Sequence, residues 1–222
     1  MDDETLSTAY LRLIEIGIAL STAKNLDSLL KEILVEAKSM ANADGGTVYL
    51  QTDENSLRFS IMLNDSLQIA RDATTGEPNA LPDVQLIKED GRPNLSNVVS
   101  SAAHRSSTIV VDDTRTSDEF DFSDTRAFEG KLGYVSKSLL TTPFLTMSGE
   151  CIGVLQLLNF QDESGEVVPF SDSITPLIEA LASQASVAII NRTLLDEHEE
   201  LKKQLEREVD ARTEELKQAL TK

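Results

Sequence analysis

The sequence predicts an α+β fold in which hairpin-connected strands are flanked by helices and a long helix follows at the C-terminus. Apolar residues recur at spacings of three and four near both ends of the chain, and with a period of two in its middle. Short turns join the clearest strand segments in pairs. A chain of 222 residues has room for one large domain with an appended helix.

The composition excludes several classes of partner. The chain has 38 acidic and 20 basic residues, a formal charge of -18 and a pI near 4.4, so it would repel nucleic acid and anionic membranes. Neither a signal peptide nor an apolar segment long enough to cross a bilayer is present. Cys151 is the only cysteine, which leaves no disulfide framework and favours the reducing cytoplasm.

Two helices are predicted at the start of the chain. The first, from Leu6 to Leu20, has a narrow apolar seam that suits either a partner helix or ordinary core packing. The second begins at Asp27 or Ser28 as N-cap and is expected to end at Asp44-Gly45-Gly46. Its broad apolar face consists of Leu29, Leu30, Ile33, Leu34, Ala37 and Ala41.

The period of two predicts the next strands. Residues 48–51 and 57–63 alternate between apolar and polar side chains, and residues 52–56 form the hairpin between them. Residues 64–82 lack lasting periodicity and are expected to be a long connection that forms one wall of a pocket. A third strand is expected at residues 84–88.

A short helix and a short strand are predicted after the turn at residues 89–93. Asn94 or Ser96 would cap the helix, which runs to about His104, and the strand covers residues 108–111. Residues 112–131 contain seven acids and three phenylalanines. Such a mixture of charged and aromatic side chains is typical of a loop that closes over a ligand.

The remaining strands are predicted at residues 138–145 and 150–159, as a pair joined by a turn. The second has a nearly continuous apolar run and is therefore expected in the middle of the sheet. The last helix would begin at Ser171 or Asp172, with Pro176 in its first turns.

An apolar stripe with an eleven-residue repeat marks the end of the chain. This repeat corresponds to a nearly straight coiled coil. Because so long a helix cannot bury the stripe against its own domain, a parallel homodimer is predicted, and the uninterrupted pattern suggests a further domain beyond it. The stripe consists of Leu194, His198, Leu201, Leu205, Val209, Arg212, Leu216 and Leu220.

No motif for catalysis or metal binding is present. Cys151 has no nearby histidine in the sequence and is interpreted as a structural thiol. His104 is interpreted as a surface residue at a helix end rather than a haem or metal ligand. The acids of residues 112–124 lack the spacing of a calcium loop, and no glycine-rich phosphate-binding loop occurs.

The order of elements, with LTTPF at residues 140–144 and GVLQLLN at 153–159, resembles a GAF domain over residues 6–192. Three further strings are most similar to GAF domains N-terminal to HD-GYP phosphodiesterase or nucleotide cyclase effectors in bacterial signalling proteins. They are FSIMLNDSL at residues 59–67, GRPNLSNV at 91–98 and FDFS at 120–123.

The resemblance implies a GAF-like, PAS-related fold, with a central antiparallel sheet that carries helices on one face and a ligand pocket on the other. The pocket segments would be the helix after Asn94 and the loop at residues 112–134. The expected ligand-binding residues combine hydrogen-bonding groups with phenylalanine surfaces. They are Asn97, His104, Thr114, Asp121, Phe122, Ser123, Thr125 and Phe128.

The ligand class is narrowed by what this sequence lacks. Cyclic-nucleotide-binding members of the family have an Asn-Lys-Phe-Asp-Glu motif, of which only Asn159 and Phe170 are present here. A bilin would need a cysteine in the pocket, whereas Cys151 is predicted in a strand. Cyclic nucleotides are therefore disfavoured, no cofactor is assigned, and the acidic loop favours a neutral or cationic small molecule.

These observations predict two units: a GAF sensory domain at residues 1–192 and a coiled-coil signalling helix at residues 193–222. The predicted function is non-enzymatic small-molecule sensing, with dimerisation and transmission through the helix to an HD-GYP or cyclase effector. The alternative is a purely structural dimerisation module with a vestigial pocket. An enzyme such as a sulfoxide reductase, known on this fold, would need more reactive cysteines.

Overall fold

The fold is an antiparallel sheet between two groups of helices, and it agrees with the α+β prediction. A computed structural model describes residues 14–20, 22–72 and 82–220. The strands are β1 (Ala43–Gln51), β2 (Ser56–Asn64), β3 (Ile69–Asp72), β4 (Val84–Gln85), β5 (Ile109–Val111), β6 (Leu139–Leu145) and β7 (Cys151–Phe160). The helices are α1 (14–20), α2 (Leu26–Met40), α3 (Val98–Arg105), α4 (Ser123–Leu132) and α5 (Thr175–Leu220).

The strands form one sheet in the order β3-β2-β1-β7-β6-β5, and β4 pairs with β2. Every strand pair is antiparallel. Strand β7 lies between β1 and β6 and is mostly buried, as its continuous apolar run predicts. The hairpin between β1 and β2 is confirmed.

The sheet separates two apolar clusters. One contains Ile33 of α2, Val48 of β1 and Ile178 of α5, so we call this side the helix face. The other contains Tyr49 and Val154 of the central strands together with Val99 of α3, so we call it the α3 face. Side chains of a strand alternate between the two faces, which explains why neighbouring residues such as Val48 and Tyr49 belong to different clusters.

Helix α2 buries the face that its periodicity predicts, but its N-cap differs from the prediction. Asn25 is the N-cap, and its side chain and that of Ser28 form a capping box. The helix ends at Met40, and residues Asp44-Gly45-Gly46, expected to terminate it, already belong to β1. Gly46 suits a buried strand because a Cβ there would lie 2.7 Å from Leu34 Cδ1.

Two elements were not expected. Strand β3 lies within the predicted long connection of residues 64–82 and pairs with β2, whereas residues 73–81 lie outside the described part. Helix α4 occupies the end of the predicted loop at residues 112–134. It was missed because it contains Gly130 and because its N-cap is Phe122, whose side chain makes no capping hydrogen bond.

Helix α5 spans 46 residues, of which the first part is core and the last part is exposed. It begins at Thr175, three residues after the predicted cap, and Pro176 lies in its first turn. Most of the predicted first helix, residues 6–13, lies outside the described part, and residues 14–20 are helical. None of the helices described is apolar and long enough to cross a membrane.

Candidate functional site

The α3 face has a row of buried polar side chains in the middle of the sheet. Thr47 of β1 pairs in register with Gln156 of β7, which pairs with Thr141 of β6. All three are buried, and Gln156 Nε2 donates a hydrogen bond to Thr141 Oγ1 at 3.2 Å. We call these three residues the polar row. Its position is unusual, because the centre of a sheet face is normally apolar.

Two serines of α3 lie on the same side of the sheet. Helix α3 packs against β6 and β7, the strands that carry Thr141 and Gln156. Ser100 and Ser101 are both fully buried, and neither Oγ has a hydrogen-bond partner among the residues that the structure describes. A buried hydroxyl without a partner costs about 1–3 kcal/mol, so the α3 face holds hydrogen-bonding capacity that the protein itself does not use.

Apolar side chains surround this polar centre. Phe120 and Phe122 are buried and pack edge to face, with ring centroids 6.4 Å apart. Tyr49 is also buried there, and burial raises the pKa of its phenol from 10.0 to about 12. The described side chains of the site therefore combine aromatic surface with hydroxyl and amide groups and include no cation.

The predicted ligand-binding residues at the ends of α3 have structural partners. Asn97 is the N-cap of α3 and accepts hydrogen bonds from the backbone N–H groups of Val99 and Ser100. It replaces Asn94 and Ser96 as the cap. His104 is exposed near the end of α3, with Nε2 2.7 Å from the carbonyl oxygen of Leu86.

The remaining predicted residues have different surroundings in the described part of the chain. Thr114 is buried and donates to the carbonyl of Ser136 at 2.6 Å. Asp121 is exposed, and hydrogen bonds from Ser123 lower its carboxyl pKa. Ser123 and Thr125 are exposed on α4, and the side chain of Phe128 lies outside the described part. Of the side chains in this group that are described, Phe122 belongs to the apolar cluster of the α3 face.

Asn159 organises the segment between α4 and β6. Its Oδ1 accepts from the backbone N–H of Lys137 at 2.6 Å, and its Nδ2 donates to the carbonyl of Val135 at 2.8 Å. The backbone of Asn159 has φ 55°, in the left-handed region that asparagine tolerates. Phe170, the other retained motif residue, packs on Phe160 with centroids 5.7 Å apart.

A tyrosine network, formed by the half-buried Tyr134 with the buried Asp44 and Asn159, joins this segment to the sheet. Tyr134 Oη donates to Asp44 Oδ2 at 2.6 Å and accepts from Asn159 Nδ2 at 2.9 Å. The other carboxylate oxygen of Asp44 accepts from Ser66 N and Ser66 Oγ. Burial and the neighbouring carboxylate raise the pKa of the Tyr134 phenol.

Sequence reasoning missed most of these residues. Gln156 could have been identified from the sequence, because it is the single polar residue inside the apolar run of residues 152–158. Ser100 and Ser101 could not have been identified in this way, because a pair of serines in a short helix is common. Asp44 was assigned to a turn, and Tyr134 is 90 positions away from it.

Cys151 is partly buried at the start of β7. It lines a cavity of about 460 Å³ together with His104, Leu86 and Gln51. Burial raises the pKa of its thiol, and Sγ donates to the carbonyl of Gly153. Such a thiol is a poor nucleophile. Among the described residues no group of three or more potential metal ligands occurs.

Comparison with solved structures identifies several similar folds. The GAF domain of an Acinetobacter phosphoenolpyruvate-protein phosphotransferase has a TM-score of 0.60 and 15% identity, with 89% of this chain and 99% of that chain covered. A Neisseria meningitidis free methionine-R-sulfoxide reductase has a TM-score of 0.60 and 16% identity, covering 88% and 95%. A methyl-accepting chemotaxis protein fragment has a TM-score of 0.56 and 20% identity, covering 81% and 98%.

The comparison with family models gives a sharper result. A search of curated proteins found no match. The model of the GAF domain matches residues 25–189, which include the whole sheet and the first part of α5. The antiparallel sheet, with α2 and α5 on one face and α3 on the other, agrees with that match. The chain therefore belongs to the GAF family of sensory and regulatory domains.

Proposed function

We propose that this chain is a non-catalytic sensor of a small molecule in a bacterial signalling protein, and that the ligand binds on the α3 face. The observation that carries the proposal is the pair of buried hydroxyls of Ser100 and Ser101, which have no partner in the described part, on a helix that packs against two strands of the polar row. A ligand that hydrogen-bonds to these hydroxyls would remove the free-energy cost of leaving them buried without partners, and this would favour binding.

The chemistry of the site favours an uncharged ligand with hydrogen-bonding groups. Its described polar side chains are hydroxyls and one amide, and the formal charge of the whole chain is -18. An anion such as a cyclic nucleotide would find no cationic partner there and would meet an unfavourable field. A flat molecule with amide or amino groups matches the aromatic and polar surfaces better.

The ligand proposal is tested by thermal unfolding with a panel of purines, amino acids, cyclic nucleotides and cyclic dinucleotides. The double variant Ser100→Ala/Ser101→Ala should unfold at a higher temperature than wild type without ligand, because it removes two unsatisfied hydroxyls. It should also lose the shift that a ligand produces in wild type. A panel that shifts the midpoint of neither protein contradicts the proposal.

A matched control comes from the other side of the sheet. Ser186 is a buried helical serine on α5 whose Oγ donates to the carbonyl of Ala182 at 2.7 Å. Ser186→Ala should lower the unfolding temperature slightly and leave any ligand shift unchanged, since its hydroxyl already has a partner. An equal loss of the ligand shift in this control would remove the special role of Ser100 and Ser101.

The proposed function includes a parallel homodimer formed through α5. Leu194, Leu201, Leu205, Val209 and Leu216 of the stripe are all more than half exposed. Exposed leucines in a regular helical repeat are the usual signature of a missing partner helix. Two ion pairs between residues four apart lie along this helix, Lys202 with Glu206 and Glu208 with Arg212. Light scattering of the chain truncated after residue 193 should show monomers, and an unchanged dimer would contradict this role.

Signal transmission would follow the same helix. Residues 1–192 would sense the ligand, and residues 193–222 would pass a change of helix rotation to an HD-GYP phosphodiesterase or cyclase effector. Fusing the chain to a nucleotide cyclase domain and inserting one to four alanines after residue 193 tests this. Activity should vary with the helical period of 3.6 residues. A uniform loss with every insertion would contradict transmission by rotation.

A structural dimerisation module is the second candidate, and one observation favours it. Phe120 and Phe122 are 6% and 2% exposed and fill part of the α3 face with the protein's own side chains. If the face binds nothing, Phe122→Ala should only destabilise the fold. If it binds a ligand, the same variant should change ligand affinity by more than a distant core substitution of equal cost.

Catalysis by the chain itself is disfavoured by its thiol chemistry. The similar Neisseria protein is a methionine-R-sulfoxide reductase. Reduction of a sulfoxide by thiols needs a reactive thiolate and usually a second cysteine to resolve the product. Here Cys151 is the single cysteine, and burial raises its pKa. We expect no methionine sulfoxide reduction by the purified chain with dithiothreitol as reductant.

A further inference from the structure

We propose that the dimer contact of α5 begins inside the domain, near Val187, so that a second copy of this chain packs against the outer side of the domain's own helix. The proposal rests on the proposed parallel homodimer and extends its contact by about three helical turns before Leu194. Three features of residues 180–191 carry it: their repeat, their exposure and their lack of charge.

The eleven-residue repeat of the stripe continues before Leu194. Three more positions fit it, each eleven residues before a member of the stripe, and we call them the upstream stripe: Ser183, Val187 and Ile190. Their spacings of four, three and four lead directly to Leu194, and α5 is continuous through all of them. Because residues with these spacings lie along one side of a helix, the stripe continues onto the part of α5 that belongs to the domain.

The upstream stripe lies on the side of α5 that faces away from the core. Ala185 and Ile189 are 0% and 4% exposed and belong to the core cluster of the helix face. Val187, midway between them in the sequence, is 55% exposed. Since successive residues of a helix are about 100° apart, Val187 is on the opposite side from both. The domain therefore leaves this side of its own helix exposed.

The same stretch of helix has no charge. Residues 180–191 contain no acidic or basic residue, although 26% of the chain is charged. The solvent-facing side of a helix normally has charged or polar side chains, whereas charged residues are depleted at the centre of protein interfaces. An exposed and uncharged side with Val187 at its centre therefore indicates a surface that is covered by protein.

A groove lies on each side of Val187. The groove between α1 and α5 has a volume of about 660 Å³ and is lined by Gly17 and Gln184. The groove between α5 and the β6–β7 turn has a volume of about 360 Å³ and is lined by Ile190 and Met147. Val187 lines both grooves and forms the ridge between them. In a two-fold dimer, the ridge of each copy can enter a groove of the other.

A second copy is the occupant that the repeat indicates. A symmetric parallel dimer brings identical positions together, so a stripe that runs from Ser183 to Leu220 in one register matches a partner helix with the same repeat. The upstream stripe covers about two helical turns, which is less surface than a stable interface needs. It therefore extends the contact of residues 194–220 and does not replace it.

The extended contact has a consequence for signalling. One stretch of α5 then packs in the core through Ala185 and Ile189 and contacts the second copy through Val187. A shift of this stretch in the core changes the dimer contact directly, because no linker separates the two.

Disulfide trapping tests the contact. Val187→Cys in a Cys151→Ser background provides one thiol per chain, and equivalent stripe positions of a parallel dimer lie close enough for a disulfide. Under mild oxidation, most of this variant should migrate as a covalent dimer in the absence of reductant. Val35→Cys is the matched control, because Val35 is 44% exposed on α2 and lies outside the stripe. It should migrate as a single chain.

Leu205→Cys in the same background separates failure of this proposal from failure of the proposed dimer. Leu205 belongs to the stripe after residue 193, so any parallel dimer formed there should be trapped at this position. Trapping at Leu205 without trapping at Val187 would overturn the upstream contact and leave the proposed dimer intact. Trapping at neither position would contradict both.

Val187→Asp measures the contribution of the contact in solution. Because Val187 is more than half exposed in the single chain, this variant should unfold at nearly the wild-type temperature. The dissociation constant of its dimer, measured by analytical ultracentrifugation, should rise at least about tenfold, since two carboxylates would meet in the contact. Val35→Asp should leave the constant unchanged. A constant for Val187→Asp equal to that of wild type would overturn the proposal.

Discussion

Asp44 and Tyr134 lie 90 residues apart in the sequence, yet the tyrosine hydroxyl donates to the Asp44 carboxylate at 2.6 Å in the interior of the domain. Asp44 is only 5% exposed and accepts two further hydrogen bonds, both from Ser66. The buried charge is thus satisfied by hydroxyl and amide donors. These donors come from the β2–β3 turn and from the segment after α4, so one carboxylate holds two distant parts of the chain together.

Replacing Asp44 by Asn should destabilise the fold by about 2–4 kcal/mol. An amide presents an N–H group to hydroxyl donors, so one donor of Tyr134 or Ser66 loses its acceptor. Urea unfolding followed by circular dichroism measures the change. Asp53→Asn, in the exposed β1–β2 turn, should cost less than about 0.5 kcal/mol. Equal costs at the two positions would contradict the role of the network.

The stability of the domain should fall at alkaline pH because of Tyr49. Burial raises the pKa of its phenol from 10.0 to about 12, so the unfolded chain loses this proton first as the pH rises. Its stabilising effect is complete below about pH 10 and is lost between about pH 10 and 12, and it amounts to roughly 3 kcal/mol.

Urea unfolding at several pH values tests this prediction. Tyr49→Phe should reduce the decline between pH 10 and 12 that wild type shows, because phenylalanine has no proton to lose. Tyr134, whose pKa is also raised, should account for part of the decline that remains. Phenolate absorbance should show that Tyr49 does not ionise before the fold is lost. A Tyr49→Phe variant with the wild-type pH dependence would assign the decline to other groups.

Gly153 of β7 should tolerate no side chain. A Cβ at this position would lie 2.4 Å from the carbonyl oxygen of Tyr49 and 3.1 Å from the Phe144 ring, so the central strands would have to separate. Gly153→Ala should therefore cost at least about 2 kcal/mol. Gly130→Ala is the contrasting case, because outside its own helix backbone no described atom lies within 4 Å of an added Cβ and the residue is inside α4.

Gly130→Ala should stabilise the protein by about 0.5–1 kcal/mol, since alanine loses less backbone entropy than glycine in a helix. Thermal unfolding of both variants beside wild type is the measurement. If both substitutions destabilise the protein to the same extent, the close contact of the added Cβ with Tyr49 and Phe144 is not the cause of the destabilisation at Gly153.

The apolar stripe of α5 should determine the oligomeric state. Leu205→Asp places a charge on a stripe residue that is 61% exposed in the single chain, and it should convert a dimer to monomers at about 10 μM protein. Gln204→Asp adds the same charge at the next position, outside the stripe, and should leave the mass unchanged. Light scattering measures the mass of both variants. If both remain dimers, the dimer contact is not formed by the apolar stripe.

Periodicity predicted the elements with two clear faces, such as α2 and the β1–β2 hairpin, because burial itself imposes the pattern. It failed for α4, where the helix depends on tertiary bonds such as that of Glu129 to Ser136 rather than on helix propensity. The N-cap of α2 was predicted wrongly because asparagine and serine are both good caps. In the capping box the side chains of Asn25 and Ser28 each accept a hydrogen bond from the other residue's backbone N–H.

The candidate site was less predictable than the fold. The expectation that Asn97 and Thr114 bind ligand stays a prediction. In the structure Asn97 accepts a hydrogen bond from the backbone N–H of Val99, and Thr114 donates one to the carbonyl of Ser136. The polar row arises from strand register, which pairs Thr47 with Gln156 across 109 positions and leaves no local pattern. Register and burial are long-range properties, so only the folded chain brings these groups together.

Because α5 continues without a break from the domain core to its far end, a small tilt of its buried part is amplified along the helix. Ala185 is fully buried in the domain, and residues 185–220 extend for about 50 Å at the helical rise per residue. A tilt of about 5° at the buried end would then move the far end by about 4–5 Å, nearly one helical turn. A change in packing too small to alter the sheet would therefore be large enough at Leu220 to change which residues of two neighbouring helices meet.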